Sequence, residues 1–484
     1  MSISRIILGS KTLFILLFIL ICCSGYPQKI WTLEDCINFA LENNLDVKKQ
    51  LLTVETTKAS LLQSKLNMLP DLNANATNVW NFGQTIDMYT NTFATNTVRS
   101  NNFYIQSTFT IFSGLQKFNT LKQNQINLLA SQYNLDVLKN DISLAVAGFY
   151  LDILLNLELL DVANGQLRIT KDQVTRIQKM VDAGASAKGD LLNIQAQQSA
   201  EELASVEAEN RLTISNLSLQ QLIDLPVTKD FRVEKPVLKA VAAPKELITP
   251  EIIFEHALKT RPEIKSAELA VRSAQKYLAV MRGSVTPILS FGGSWGTGYS
   301  GAATEIDPSI PPVIKPYNIG ITQNSHDTVI GFDVVHATHV TSFNDQLHQN
   351  ENQSIGFYLS VPIFNGWQGR TAISKAKILV HQAEYDLEIK MRDLRKLIEQ
   401  AYADAVASLK KYNSSEEKVN AQAESFKYTS QKFDVGMMTS FDYNNSKKDL
   451  TKAQSDLLQA KYDFIFKTTI LDFYMGNPIS ISTE

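Results

Sequence analysis

The sequence predicts a mainly α-helical protein that also contains four β-strands of a length suited to crossing a lipid bilayer. Three observations predict this fold class. Two long stretches, 71–225 and 363–477, contain none of the 14 prolines, and such stretches can form very long helices. Short segments of alternating apolar and polar residues also occur. Finally, the chain repeats itself, so that each of these features occurs twice.

The internal repeat is defined by residues of distinctive chemistry at a constant spacing. The segment Ile111–Gly114 (Ile-Phe-Ser-Gly) recurs 252 residues later as Ile363–Gly366 (Ile-Phe-Asn-Gly). The same offset relates Tyr150 to Tyr402, Asp152 to Asp404, Gly184 to Gly436, Asp190 to Asp442 and Pro226 to Pro478. A gapless match at so many positions indicates two homologous halves.

An earlier block repeats at a shorter offset of 217 residues, which relates Pro70 to Pro287. The two offsets differ by 35 residues, which places an insertion after Pro287. The sequence therefore predicts a first repeat over 26–226, a linker over 227–249 and a second repeat over 250–484, with a longer loop at about 300–350.

The N-terminus has the pattern of an export signal. Arg5 and Lys11 accompany an apolar run that ends at Ile21, and small residues follow it. We expect cleavage after Gly25, so that 1–25 is a signal peptide; a lipidated Cys23 is the alternative. The run is too short for a retained membrane-spanning anchor. The mature chain would then keep one cysteine and could form no intrachain disulfide.

The predicted helices are long, and they occur in corresponding sets in the two halves. They cover 32–69, 115–182 and 185–225, and then 250–286, 367–434 and 437–475. A helix over 115–182 would be about 100 Å long. Apolar and small residues in steps of three and four predict coiled-coil seams at Leu135, Leu138, Ile142, Ala145 and Phe149, and at Ala208, Leu212, Ser215, Leu219 and Leu222. Gly184 and Gly436 are predicted to form tight turns between antiparallel helices.

Four segments with a period of two are predicted to be strands, near 72–82, 102–111, 289–296 and 354–363. In the third, for example, Leu289 and Phe291 alternate with Ser290 and Gly292. One face of each strand is apolar and the other is small or polar, which suits lipid outside and water inside. Strands of about ten residues can cross a bilayer when tilted. The alternative is a soluble four-stranded sheet.

Four strands are too few to close a barrel, because about eight is the practical minimum. Lipid does not tolerate open sheet edges, so several chains must assemble. A trimer would supply a twelve-stranded barrel, and the amphipathic helices would form a hollow α-barrel that continues it. A cylinder about 100 Å long would cross much of a periplasm. A simple diffusion pore does not need such helices.

Several motifs resemble the outer membrane efflux protein family, the TolC-like channel-tunnels, over essentially all of the mature sequence. The motifs are Trp31-Thr32-Leu33-Glu34-Asp35, Ala40-Leu41 with Asn43-Asn44, Pro70, Ile111-Phe112-Ser113-Gly114, and Val435-Gly436 with Asp442. The segment Phe82–Asp87 (Phe-Gly-Gln-Thr-Ile-Asp) is similar to Bacteroidetes-type members.

The resemblance implies a homotrimer of twelve strands and twelve helices in the outer membrane, extending into the periplasm. Its equatorial region would contain 227–249 and the chain ends. The partners would be a periplasmic adaptor (membrane fusion) protein and an inner-membrane RND or ABC transporter, and the channel would conduct their substrates passively. Type I protein secretion is an alternative with the same fold. A periplasmic coiled-coil scaffold without a pore is a third hypothesis.

The resemblance also implies a pore constriction at the periplasmic helix turns. Asp442 matches a family aspartate that narrows the pore, and Asp190 is its first-half equivalent. Phe433 lies where the family often has a tyrosine. Met438 replaces an arginine that bridges neighbouring chains and Asn445 replaces a second aspartate, so the resemblance does not extend to that salt bridge. The alternative is that Asp190 and Asp442 only cap their helices.

Histidines in the inserted loop are expected to be solvated rather than metal-bound. Four of the six histidines lie there: His326, His336, His339 and His348. The His336 and His339 spacing would suit a metal, but neither a predicted helix nor a cysteine supports that site. The loop is expected to be irregular because of Pro308, Pro311, Pro312 and Pro316.

No catalytic motif is present, so the chain is not expected to be an enzyme or to need a cofactor. It lacks a nucleophile elbow, a phosphate-binding loop and a Cys–His pairing. The net charge of −3 gives no nucleic-acid signal, and 44% hydrophobic residues argue against disorder. Trp31 and Trp367, beside helix starts, are expected to pack against neighbouring residues; anchoring at an interface is the alternative.

Overall fold

The computed structural model describes residues 29–94, 97–227, 231–236 and 248–479. The predicted signal peptide and Cys23 lie outside the described residues, as does much of the predicted linker. The chain forms two compact units. One contains the described parts of 1–56, 128–270 and 384–484, and the other contains those of 57–127 and 271–383.

The first half of the chain contains two long helices preceded by the strands of a sheet. Its elements are β1 (Ile30–Trp31), α1 (Leu33–Asn43), α2 (Leu45–Leu66), β2 (Asn73–Asn81), β3 (Thr85–Ile86), β4 (Phe93–Ala94), β5 (Val98–Phe112), α3 (Gln116–Asp182), α4 (Lys188–Leu222) and β6 (Arg232–Val233). The helices predicted over 115–182 and 185–225 are therefore confirmed, with slightly later starts.

The second half contains a similar series with additional strands. Its elements are α5 (Pro250–Thr260), α6 (Pro262–Gly283), β7 (Ile288–Ser300), β8 (Thr304–Ile306), β9 (Val313–Ile321), β10 (Thr328–Val335), β11 (Thr338–Val340), α7 (Phe343–Gln349), β12 (Asn352–Ser360), α8 (Gln368–Asp434) and α9 (Ser440–Tyr474). Helices α8 and α9 begin and end 252 residues after α3 and α4, respectively.

Two of the predicted helices are interrupted. The helix predicted over 32–69 ends before Asn44, whose Oδ1 accepts a hydrogen bond from the backbone N–H of Asp46 at 2.9 Å and starts α2. The helix predicted over 250–286 is divided at Arg261, which has an extended backbone (φ −71°, ψ 129°). Pro262 explains this break, because a residue before proline avoids the helical region. The prediction of two continuous helices was wrong.

The four predicted membrane strands form one antiparallel sheet in the order β12-β7-β5-β2. Its register places Phe357 opposite Phe291, and Phe291 opposite Phe109. On the other face, Ser354 lies opposite Ser294. The predicted alternation is thus aligned from strand to strand, with one apolar face and one small, polar face. Strands β2 and β12 end the sheet, and within the described residues no further strand pairs with either outer edge.

The inserted loop is more regular than the sequence predicted. Strands β9 and β10 form an antiparallel hairpin, and β8 pairs with β11. Pro316 lies within β9 opposite Phe332, which a two-stranded ribbon allows because the proline nitrogen can face the unpaired edge. The prediction of an irregular loop was therefore wrong. His339 pairs with Glu305, with 3.2 Å between Nε2 and Oε1.

An apolar core lies around the middle of α3, where Tyr150 and Leu154 pack with Leu219 of α4. The Tyr150 hydroxyl donates to the carbonyl oxygen of Glu234 at 2.8 Å. The predicted seam was partly wrong, because Tyr150 is buried whereas Phe149 is exposed. A straight helix drifts from a strict seven-residue repeat, so the buried stripe moves by one position.

By length and composition alone, α3 contains a window apolar enough to cross a membrane, with a mean hydropathy of 1.6. Of this window, 44% is buried inside the protein. We interpret the apolar window as the core-forming part of α3, because its side chains Val146, Tyr150 and Leu154 are almost fully buried.

The two tryptophans beside helix starts differ in their surroundings. Trp31 is buried and meets Phe39 edge-on, with ring centroids 5.3 Å apart, so its predicted packing is confirmed. Trp367 is 58% exposed, and the Arg370 guanidinium lies 4.6 Å from its ring centroid. The packing prediction was wrong for Trp367.

Candidate gate at the helix turns

Two turns, residues 183–187 and 435–439, here called the helix turns, connect α3 to α4 and α8 to α9. Gly184 and Gly436 have φ of +71° and +78°, a conformation that glycine adopts without steric penalty. In the first turn, Ala185 N–H donates to the carbonyl oxygen of Met180 at 2.7 Å, and in the second, Met437 N–H donates to that of Lys432 at 2.8 Å. This is the hydrogen bond of a Schellman-type helix end.

The structure places neither aspartate at a helix N-cap. Thr439 is the N-cap of α9, and its Oγ1 accepts from the N–H of Asp442 at 3.2 Å. Ala187 is the N-cap of α4 and has no capping side chain. Asp190 and Asp442 instead lie in the first turns of their helices, where a carboxylate favours the positive end of the helix dipole.

Asp190 connects the first turns of α4 and α9. Its Oδ1 accepts a hydrogen bond from the hydroxyl of Ser440 at 3.0 Å, and its Oδ2 accepts one from Ser186 at 3.1 Å. Asp442 is exposed, and the Thr439 hydroxyl donates to its Oδ2 at 2.6 Å. Asp190 therefore joins the start of α4 to the start of α9, whereas the Asp442 carboxylate is oriented by Thr439 of its own turn.

Phe433 contributes to packing near the helix turns. Its ring stacks on that of Tyr443, with centroids 4.7 Å apart and an angle of 29° between the planes. It also packs against a cluster formed by Ile177, Leu191 and Ile194. Burial raises the pKa of the Tyr443 hydroxyl, and the nearby Asp434 carboxylate adds to this. Phe433 thus anchors the end of α8 on α9.

The two positions that depart from the family pattern differ in exposure. Met438 lies in the second helix turn and is half-buried, whereas Asn445 is exposed on α9. An ion pair nearby joins the two halves: Arg176 Nη1 lies 2.6 Å from Asp434 Oδ1. Both of its side chains are 47% exposed, so this pair contributes at most about 1 kcal/mol.

A buried charged cluster lies further along the same helices, and sequence reasoning missed it. Lys447 of α9 is 3% exposed. Its Nζ donates to Glu201 Oε1 at 3.0 Å, to the carbonyl oxygen of Gln166 at 3.0 Å, and to the hydroxyl of Thr170. The Lys447 cluster (Lys447, Glu201, Thr170 and Gln166) therefore joins α9 to both α3 and α4.

The described parts of the chain contain no group of three or more His, Cys, Asp and Glu side chains placed to hold a metal ion. The chemistry near the helix turns is that of carboxylates, hydroxyls and one buried ammonium group. Such groups can narrow a pore, favour cations and hold helices in register.

The sequence of the chain is similar to those of outer membrane efflux and secretion proteins. Residues 36–224 and 253–477 match the outer membrane efflux protein family. The chain is 22% identical over 325 residues to the alkaline protease secretion protein AprF of Pseudomonas aeruginosa, covering 66% of this chain and 57% of AprF. It is 23% identical over 304 residues to the outer membrane protein TolC of Vibrio cholerae, covering 63% of this chain and 60% of TolC. Both alignments span less than two thirds of the relative.

The solved structure of CusC has the same fold. It aligns with a TM-score of 0.73 at 17% identity and covers 94% of this chain and 96% of that chain. The chain therefore shares with CusC a fold of long paired helices and a small antiparallel sheet. Because the family match covers more than half of the chain, the protein belongs to the outer membrane efflux protein family.

This membership confirms the resemblance seen in the sequence. It also gives the location, because the related proteins are outer-membrane channels that extend into the periplasm. The family consists of channel proteins rather than enzymes.

Proposed function

We propose that three copies of this chain form an outer-membrane exit duct, which passively conducts substrates delivered by an inner-membrane pump and a periplasmic adaptor protein. The observation that carries the proposal is the four-stranded sheet, which has one continuous apolar face and two unpaired outer edges within the described residues.

The apolar face of this sheet suits contact with lipid. Along β12, Ile355, Phe357 and Leu359 are 79%, 69% and 67% exposed. On the opposite face, β7 contributes Ser290, Gly292 and Ser294, which leave room for water. A bilayer requires every backbone hydrogen-bonding group to be paired. The free edges of β2 and β12 therefore need strands from other copies, and three copies would give a closed barrel of twelve strands.

The helix turns would then form the narrowest part of the duct. Three exposed Asp442 carboxylates around one axis would favour cations, and the three Asp190–Ser440 contacts would hold the turns of each copy together.

A pair of adjacent substitutions on β12 tests which face meets lipid. Phe357 and Tyr358 are both exposed, at 69% and 58%, but they lie on opposite faces. Phe357→Lys should prevent stable insertion, because a lipid-facing lysine costs about 2–4 kcal/mol near the bilayer centre. Tyr358→Lys should insert and shift the ion selectivity in planar bilayers towards anions. Equal tolerance of both lysines would contradict the proposed orientation.

The pump-linked role has a separate cellular test. Deleting the gene should sensitise cells to some drugs, dyes, bile salts or metals, and the intact gene should restore resistance. Unchanged resistance to every compound would argue against efflux of small molecules, while conductance of the purified trimer would still support a channel.

Type I protein secretion is the second candidate, and the similarity to AprF, an alkaline protease secretion protein, favours it. Comparing culture supernatants of the deletion strain and its parent by mass spectrometry distinguishes the two cargoes. Loss of one or a few exported proteins, with drug resistance intact, would indicate secretion. A periplasmic scaffold without a pore predicts neither effect and no conductance.

A further inference from the structure

The Lys447 cluster is a completely paired group of charges inside the helical unit. The side chain of Lys447 is 4% exposed and that of Glu201 is 13% exposed. Three acceptors surround the ammonium group, and the carboxylate of Glu201 also accepts from Thr170 and from Gln197 Nε2 at 2.9 Å. A buried network whose charged groups are paired fixes the relative position of the elements that carry it.

Net stability does not explain why charges occupy this site. Burial lowers the pKa of Lys447, and the Glu201 carboxylate opposes this only in part. Removing two charges from water often costs as much as their attraction returns, and apolar residues of similar volume can be equally or more stable. The cluster therefore fixes the relative position of the helices, while it stabilises their contact by less net free energy than packed apolar side chains would.

The equivalent positions of the other half show that the helix packing does not need this charge pair. At the same offset of 252 residues, Lys447 corresponds to Gln195, Glu201 to Ala453 and Thr170 to Gln422. Gln195 is exposed and Ala453 is completely buried. Helices of identical length thus form without a buried charge at this level.

We propose that Lys447 and Glu201 are positioning residues that hold α9 on α3 and α4 while the pore is narrow, and that their separation accompanies widening of the pore. This inference rests on the proposed function. When the helices separate, water hydrates both charges, so separation costs less than it would for an apolar contact. The pair thus holds one register in the narrow state and still lets the helices part.

Two variants of the full-length chain test the inference in opposite directions. In Lys447→Met, Glu201 is left buried without its cation, so the narrow state is weakened. We expect the occupancy of the wide state, measured from single-channel records in planar bilayers, to rise roughly tenfold or more. In Lys447→Met/Glu201→Leu, an apolar contact fills the site, and we expect that occupancy to fall below the wild-type value.

A matched control and a mass measurement make the outcomes distinguishable. Gln195→Met places the same side chain at the equivalent exposed position and should conduct as the wild type does. Native mass spectrometry in detergent shows first whether each variant is a trimer. If Lys447→Met forms no trimer, Lys447→Met/Glu201→Leu decides the question. An occupancy of its wide state below the wild-type value supports the inference, and an occupancy equal to the wild-type value overturns it.

If both variants are trimers with wild-type records, the inference is overturned and the proposed function stands. If the wild type forms no trimer and conducts no current, the proposed function itself fails. A charge exchange, Lys447→Glu/Glu201→Lys, adds a further check. If its wide-state occupancy lies closer to the wild-type value than that of Lys447→Met does, the two charges act on each other.

Discussion

The paired helices α3–α4 and α8–α9 have the same lengths and the same glycine turns, but they differ in their polar groups. The second pair has Thr439 as a side-chain cap, whereas the first has Ala187 at that position. The second pair also contains buried Lys447, where the first has exposed Gln195. Backbone geometry is thus shared by the halves, while the capping threonine and the buried lysine belong to the second pair.

The largest expected effect comes from the aromatic contact at the second turn. Tyr443 is 3% exposed and lies against both Phe433 and Phe426. Tyr443→Ala should lower the free energy of unfolding by about 3–5 kcal/mol, because it leaves a cavity and removes ring contacts. Leu191, the equivalent first-half residue, has a smaller side chain without a ring and packs with Ile177 and Ile194. In thermal unfolding followed by circular dichroism, Leu191→Ala should be the milder variant, and the reverse order would contradict this account.

The glycine turns should be equally sensitive in both halves. Both Gly184 and Gly436 have positive φ, and no atom lies within 4 Å of a Cβ added to either. Their requirement is conformational rather than steric. Gly184→Val and Gly436→Val should each cost about 2 kcal/mol in stability. Gly189→Ala, at a helical glycine with equally open surroundings, is the control and should not destabilise the protein.

The caps of α4 and α9 offer an exchange experiment between the halves. Thr439→Ala removes the hydroxyl that accepts from Asp442 N–H and should destabilise the protein by about 1 kcal/mol. Ala187→Thr supplies the missing hydroxyl to α4 and should stabilise it by a similar or smaller amount. Melting temperatures of the two variants should shift in opposite directions. Shifts of the same sign would show that the turns are not equivalent.

The smallest expected effect is at the start of α1. Hydrogen bonds from the Thr32 hydroxyl and backbone N–H hold the pKa of Asp35 below its ordinary value of 3.8. A depressed folded-state pKa stabilises the protein above 3.8, and this stabilisation is lost as the pH falls through the folded-state value. Asp35→Asn should therefore lower the free energy of unfolding at neutral pH by under about 1 kcal/mol, which a slightly lower melting temperature would report. The wild type and the variant should converge in acid.

A substitution by asparagine at the equivalent position of the second half serves as the control. The equivalent of Asp35, at the offset of 217 residues, is Ile252, which is exposed. Ile252→Asn should leave the pH dependence of stability unchanged. A pH-dependent difference for Ile252→Asn would mean that the capping arrangement of α1 is not the cause.

Most of the helices and the four strands of the sheet could be predicted from the sequence, because proline-free stretches and a period of two are strong signals. The break before Pro262 also had a signal, since a residue before proline avoids the helical region. The break at Asn44 had a weaker one, because an asparagine can cap a helix or remain inside it. The β9–β10 hairpin was missed because Pro316, which usually breaks a strand, occupies a position where its missing N–H is harmless.

The candidate gate could be predicted only in part. Gly184 and Gly436 lie in the turns where sequence reasoning placed them. The contact between Asp190 and Ser440 joins residues 250 positions apart, and no local pattern encodes such a pairing. Lys447 had a usable signal: it follows Tyr443 by four residues and precedes Leu450 by three, which places a lysine in a buried seam.

The central claim is that the unpaired edges of β2 and β12 are closed by neighbouring copies. Native mass spectrometry of the detergent-extracted protein, with a single-channel recording on the same sample, tests this claim most directly. The account predicts a particle of three chains that conducts ions across a planar bilayer. A single chain that remains in water without detergent and passes no current would contradict it.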